Sequence, residues 1–197
     1  MHDYFILATT NEPEHCAIGP LPEQLARQKW RIAKGQPMGE HHPARARLDM
    51  DKRYPGFVVP DLVSNTFHLY IISHRLKPLL QAELKDQAEG EFLPVSIYNH
   101  KGRVAEEDYS IANIFRAVEC VDRSRSEFTE SALKPGQLSI LKRLQLDPER
   151  IPAEPRIFRL KEMPALLIIR GDLRARLEEA GITGANYVGL GDKCMFV

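Results

Sequence analysis

Two stretches of this chain have the same apolar pattern, and that pattern limits the fold more than any other feature. Leu69-Tyr70-Ile71-Ile72 is followed by Leu76, Leu79, Leu80 and Leu84 at helical spacing. Almost half the chain further on, Leu166-Leu167-Ile168-Ile169 is followed by Leu173, Leu177 and Ala180. Each stretch reads as a buried strand leading into an amphipathic helix. Superposed, Leu69 falls on Leu166, Ile71 on Ile168, Ile72 on Ile169, Leu76 on Leu173 and Leu80 on Leu177. The strand expected after each helix also corresponds, Phe92–Val95 with Tyr187–Gly189. Arg170 stands where the first stretch has Ser73, a residue suited to capping a helix. Gly181 is placed to end the second helix. Pro78 removes a backbone donor early in the first helix, so a kink or a later start is expected there.

Short alternating segments surround these two units. Tyr4–Leu7, Phe57–Val59, Phe92–Tyr98, Tyr109–Phe115, Val118 with Cys120, Leu138–Leu146 and Ile157–Leu160 read as strands. Asn99-His100-Lys101-Gly102 and Lys134-Pro135-Gly136 read as turns. Residues 9–56 are rich in Pro and Gly, with one helix expected within Leu21–Ile32. His41-His42-Pro43 reads as an exposed loop. The expectation is a single α+β domain over residues 1–197. It has a mainly antiparallel sheet, two similar strand–helix–strand units, and a long irregular N-terminal arm or loop region over 9–56.

Charge and cysteine usage narrow the function classes. Lys plus Arg number 27 and Asp plus Glu number 27, a net charge of zero. Broad electrostatic binding to nucleic acid or an anionic membrane needs a positive surface, so neither is an expected partner. Cys16, Cys120 and Cys194 are odd in number and scattered, which fits reduced thiols in a cytosol rather than a disulfide framework. The N-terminal apolar run ends at Ala8, too short for a signal peptide. No stretch approaches the roughly 20 apolar residues of a membrane span.

No phosphate loop, nucleophile elbow or dinucleotide fingerprint occurs. A strand between His68 and His74 would hold them roughly 20 Å apart. They would not share a metal, and no metal or other cofactor is expected. Two acidic gatherings remain, Glu83, Asp86, Glu89 and Glu91, and the run Glu106-Glu107-Asp108. The second follows a turn, where chain is usually available for contact. Glu106, Glu107 and Asp108 are therefore the expected contact residues for a basic partner. The N-terminal stretch Trp30–His42 is the rival surface. Arg170, Arg174 and Arg176 form a basic cluster near the second helix.

Specific strings also resemble one family. Lys34-Gly35-Gln36-Pro37 after Trp30, Asp61-Leu62-Val63, Leu69–Ser73, Phe92–Tyr98, Tyr109–Asn113, Val118–Asp122, Ile157-Phe158-Arg159-Leu160 and Gly181-Ile182-Thr183-Gly184 occur in the order found in immunity family eleven of bacterial polymorphic toxin systems. The resemblance spans nearly the whole chain. It implies a cytoplasmic protein that binds a cognate toxin domain, for example of nuclease type, and neutralises it stoichiometrically, without catalytic residues or cofactor. The alternative is a small hydrolase or transferase using a carboxylate–His site, such as Asp61 with His68 or His100.

Overall fold

Both apolar runs become strands covered on two faces, as their unbroken hydrophobicity requires. The computed structural model describes residues 2–197. Along the chain it has β1 (Tyr4–Thr9), β2 (Ala17–Ile18), α1 (Glu23–Ala33), β3 (Ala46–Asp49), β4 (Leu62–Asn65), β5 (Tyr70–Ser73), α2 (Leu76–Gln81), β6 (Gly90–Tyr98), β7 (Val104–Ile114) and β8 (Ala117–Val118). There follow β9 (Glu127–Glu130), β10 (Leu138–Arg143), β11 (Ile157–Leu160), β12 (Met163–Arg170), α3 (Gly171–Glu179) and β13 (Ala185–Gly189). Strand content is 38% and helix content 16%, an α+β protein dominated by strands.

The strands form two mixed sheets and a hairpin rather than one sheet. Their orders are β2-β4-β5-β7-β6-β3, β13-β1-β12-β11-β8 and β10-β9. The two large sheets share a plan. In the first, β5 lies between antiparallel neighbours β4 and β7, β6 is antiparallel beyond β7, and β2 is parallel beside β4. In the second, β12 lies between antiparallel β11 and β1, β13 is antiparallel beyond β1, and β8 is parallel beside β11. Each helix therefore carries the chain over one intervening strand, from β5 to β6 and from β12 to β13. The intervening strand differs in origin. In the first sheet it is β7, which follows β6; in the second it is β1, from the start of the chain.

The matched leucines meet. Ile72, Leu76 and Leu80 share one core with Ile169, Leu173 and Leu177, joined by Leu7, Leu62, Tyr70, Ile114 and Leu167. The two units face each other across this core. Tyr70 links them through its hydroxyl, which accepts the Leu167 N–H at 2.8 Å. The opposite faces of the strands serve separate cores. Leu69 and Ile71 pack with α1 and β3, whereas Leu166 and Ile168 pack beneath the β9–β10 hairpin.

Several expectations change in detail. Residues 9–56 supply β2, α1 and β3, and their Leu25, Ile32, Met38 and Leu48 are fully buried. Scattered Pro and Gly hid the apolar positions that matter there. Phe57–Val59 is not a strand: only Val58 makes a bridge, to His15, and Phe57 and Val58 are exposed. Cys120 is buried but follows β8 rather than lying within a strand. The strand β9 was missed because its Glu-Phe-Thr-Glu has a single apolar residue. The first helix starts late, at Leu76, which puts Pro78 third, where a helix needs no backbone donor. Ser73 serves that start by accepting the Arg75 and Leu76 N–H groups at 3.1 and 3.2 Å. Gly181 follows α3 with φ +62°, as its placement implied.

Candidate functional site

The two acidic gatherings have opposite fates. The first is used inside the fold. Glu83 is buried and pairs with Arg156 and Arg176; Glu89 pairs with Arg116. Glu91 accepts the Met38 N–H and the Asn113 side-chain N–H, each at 2.8 Å. Asp86 accepts the Ala88 N–H in its own turn. The run Glu106-Glu107-Asp108 is fully exposed, and none of its carboxylates joins an ion pair among the described residues. The one recorded side-chain bond to this run is made to backbone, from Arg45 to the Glu107 carbonyl.

Why the run stays free follows from β7. Its inner half, Tyr109–Ile114, is buried; β6 pairs with it as far as Ile114 and β5 with Tyr109–Ala112. The β5 register ends at Ser73 opposite Tyr109. Beyond that point the outer half, Val104–Asp108, pairs with β6 alone, Glu106 opposite Ile97 and Val104 opposite Tyr98. It projects with the turn that follows Tyr98, where Asn99 accepts the Lys101 and Arg103 N–H groups. Burial, then the Glu106 carboxylate, holds the Tyr109 hydroxyl above its ordinary range, so that phenol stays protonated.

An apolar element lies beside the turn that leads into β7, and the sequence reading missed it. The loop after β3 brings Phe57 edge-on to His100, ring centroids 5.0 Å apart. His100 Nε2 is 3.2 Å from the Gly56 carbonyl. Three residues later the loop reaches the base of the outer half, where the Tyr109 hydroxyl is 3.1 Å from the Pro60 carbonyl. Phe57 is 62% exposed and Val58 51%. Of the eight large apolar side chains exposed among the described residues, Tyr54, Phe57 and Val58 lie on this loop, and Val104 opens β7. Phe57-Val58-Val59 mimics a strand, and only its exposure reveals a surface patch.

The other candidate residues are put to structural use. Asp61 is buried and saturated by Ser73, Arg75 and Thr183, with neither His68 nor His100 among its hydrogen-bond partners. His68 sits in the β4–β5 turn at φ +57°. The basic cluster is spent internally: Arg170 on Asp172, Arg176 on Glu83, and Arg174 over the Phe5 and Tyr187 rings. Within the rival stretch, Trp30 is exposed, but Lys34 and Arg31 stack on its ring. Among the described residues, no three His, Cys, Asp or Glu side chains gather as metal ligands. No helix there is long and apolar enough to cross a membrane.

The strings that suggested a family converge in space. Arg159 is fully buried, and its guanidinium donates to the carbonyls of Ile114 at 2.5 Å and Pro164 at 2.6 Å and to Asn113 at 3.3 Å. Burial without a facing carboxylate pulls its pKa down to about 10. Asn113 in turn donates to the Gln36 carbonyl at 2.8 Å. Gly35, at φ +65°, lies so close that a Cβ there would be 2.8 Å from Arg159 Cδ. Thus Lys34–Pro37, Tyr109–Asn113 and Ile157–Leu160 build one buried polar knot, while Asp61–Val63 and Gly181–Gly184 build a second around Asp61. The profile of the Immunity protein family (Imm11) matches residues 11–192. The chain belongs to that family. Imm11 membership covers nearly the whole chain and every string named above. No curated protein matches the chain at a significant level. The Imm11 strings that meet around Arg159 and Asp61 tie distant parts of the fold together, whereas the carboxylates at the exposed end of β7 join no ion pair among the described residues.

Proposed function

We propose that this Imm11 protein binds and neutralises a cognate toxin domain in the cytoplasm by stoichiometric inhibition, without catalysis or cofactor. Family membership supports the inhibitor class. The observation that carries the site is the contrast between the two acidic gatherings: Glu83, Glu89 and Glu91 are consumed inside the fold, and Glu106, Glu107 and Asp108 are left free. Carboxylates with no internal partner meet a basic surface without breaking anything first, and complementary charge accelerates encounter. A nuclease-type toxin has such a surface, because phosphate contacts supply much of its hold on substrate. Phe57 and Val58 would add apolar contact next to the charges, the arrangement in which interface residues carry most binding energy.

The enzyme alternative loses its carboxylate, since Asp61 already accepts four hydrogen bonds and is buried. The test is co-expression with the toxin domain encoded beside the gene. The wild-type chain is expected to protect cells. The triple reversal Glu106→Lys, Glu107→Lys and Asp108→Lys is expected to weaken protection and slow association while the fold persists. Unchanged association rate and salt dependence in that variant would remove these residues from the interface.

A further inference from the structure

The outer half of β7 is an unfilled place in a sheet. Val104–Asp108 pairs with β6 through two register shifts, one on either side of Glu106, and β5 stops opposite Tyr109; the Glu107 carbonyl is met by the Arg45 side chain. Five residues at about 3.3 Å each give an open edge of roughly 16 Å, enough to pair with one short strand. Open edges invite pairing, and charged residues on them select the partner. Here the selection is one-sided. A second copy of this chain laid against the edge would bring Glu106, Glu107 and Asp108 against the same carboxylates, and like charges across strands repel. A strand carrying Lys or Arg at alternate positions meets the opposite situation. Phe57, Val58 and Val104 offer apolar contact for the side chains between.

Resting on the proposed inhibitor role, we infer that the chain captures its toxin by adding an extended, basic segment of the toxin to the open edge of β7 at Val104–Asp108. Backbone bonds supply the hold in this mode, and the acidic side chains set the choice of segment. The pairing has a signature that side-chain contact lacks. Along a regular antiparallel strand successive N–H groups point to opposite edges; in Val104–Asp108 two register shifts against β6 interrupt that alternation, so the informative amides are those without a β6 partner. Only those facing away from β6 gain a partner when a strand is added.

The experiment is residue-resolved amide hydrogen exchange on the chain alone and bound to the toxin domain encoded beside the gene, carrying an inactivating substitution. The amides of Val104–Asp108 that face away from β6 are expected to exchange fast in the free protein and at least about tenfold slower in the complex. Their neighbours, already bonded to β6, should change little. A complex that forms with no slowing on this edge, or with uniform slowing of all five amides, overturns strand addition and leaves the inhibitor role standing. If the chain forms no complex with that domain and gives no protection, the inhibitor role falls as well.

Discussion

Thr183 donates both its backbone N–H and its hydroxyl to one oxygen of Asp61, each at 3.0 Å, across 122 residues of chain. The same hydroxyl accepts the Asp61 N–H at 3.0 Å. Arg75 completes the clasp, reaching Asp61 at 2.9 Å and the Ala180 carbonyl at 2.8 Å. The start of α2 is thereby tied to the end of α3. Asp61→Ala leaves several donors unmet, and we expect a loss of about 2–4 kcal/mol. Thr183→Val should lose about 1–3 kcal/mol. Because the residues share partners, the double variant should lose less than the sum. Urea denaturation of the three variants checks this, and strict additivity would show that the clasp is not one unit.

Leu80 and Leu177 are both fully buried in the core between the sheets. Truncation of either to Ala should cost about 2–5 kcal/mol. Chemical denaturation showing a loss below about 1 kcal/mol for both would contradict their shared role.

Glu83 and the β7 run separate stability from function. Glu83→Ala strips a buried carboxylate from Arg156 and Arg176, and should cost about 1–3 kcal/mol, since both arginines keep access to water. Reversal of Glu106, Glu107 and Asp108 should move the thermal midpoint little. Parallel melting curves decide the matter: an equal shift in both would mean that the two gatherings do the same work.

Asp172 provides a test by pH. Hydrogen bonding from Arg170, opposed by burial and helped by the Arg170 and Arg156 charges, holds its carboxyl at about 2, below the ordinary 3.8. The folded state thus gives up this proton more readily than the unfolded one. The stabilisation is complete above about pH 4 and is lost as pH falls toward 2. In Asp172→Asn the acid side of a midpoint-against-pH curve should be shallower over that window. A slope unchanged from the wild type would place the acid sensitivity elsewhere.

The sequence made the twin strand–helix units legible because their apolar residues are contiguous and unmixed with polar ones. It showed Ile157–Leu160 to the residue even though Arg159 stands among its apolar residues. It could not show that the units lie in different sheets, because strand pairing between β1 and β12 depends on contacts across most of the chain. The N-terminal region looked irregular because, beyond Leu25 and Ile32 of α1, the buried Met38 and Leu48 are set off by turns that break any period. Glu106–Asp108 could be picked out as an acidic run after a turn, but not distinguished from Glu83–Glu91. That distinction rests on which arginines fold back to meet them. Phe57 and Val58 carried no usable signal, since an apolar triplet reads as strand until its exposure is known.

The seat of β1 between β12 and β13 sets an order of events during synthesis. Residues 4–9 leave the ribosome before every other strand described, yet each strand that pairs with them lies beyond residue 162. At about 5–20 residues per second, the wait is on the order of ten seconds. The sheet built around β5 has all its strands by residue 114 and can close earlier. β1 therefore waits for partners made long after it. A nascent chain cannot complete its second sheet, or the core the two sheets share, until β13 has emerged.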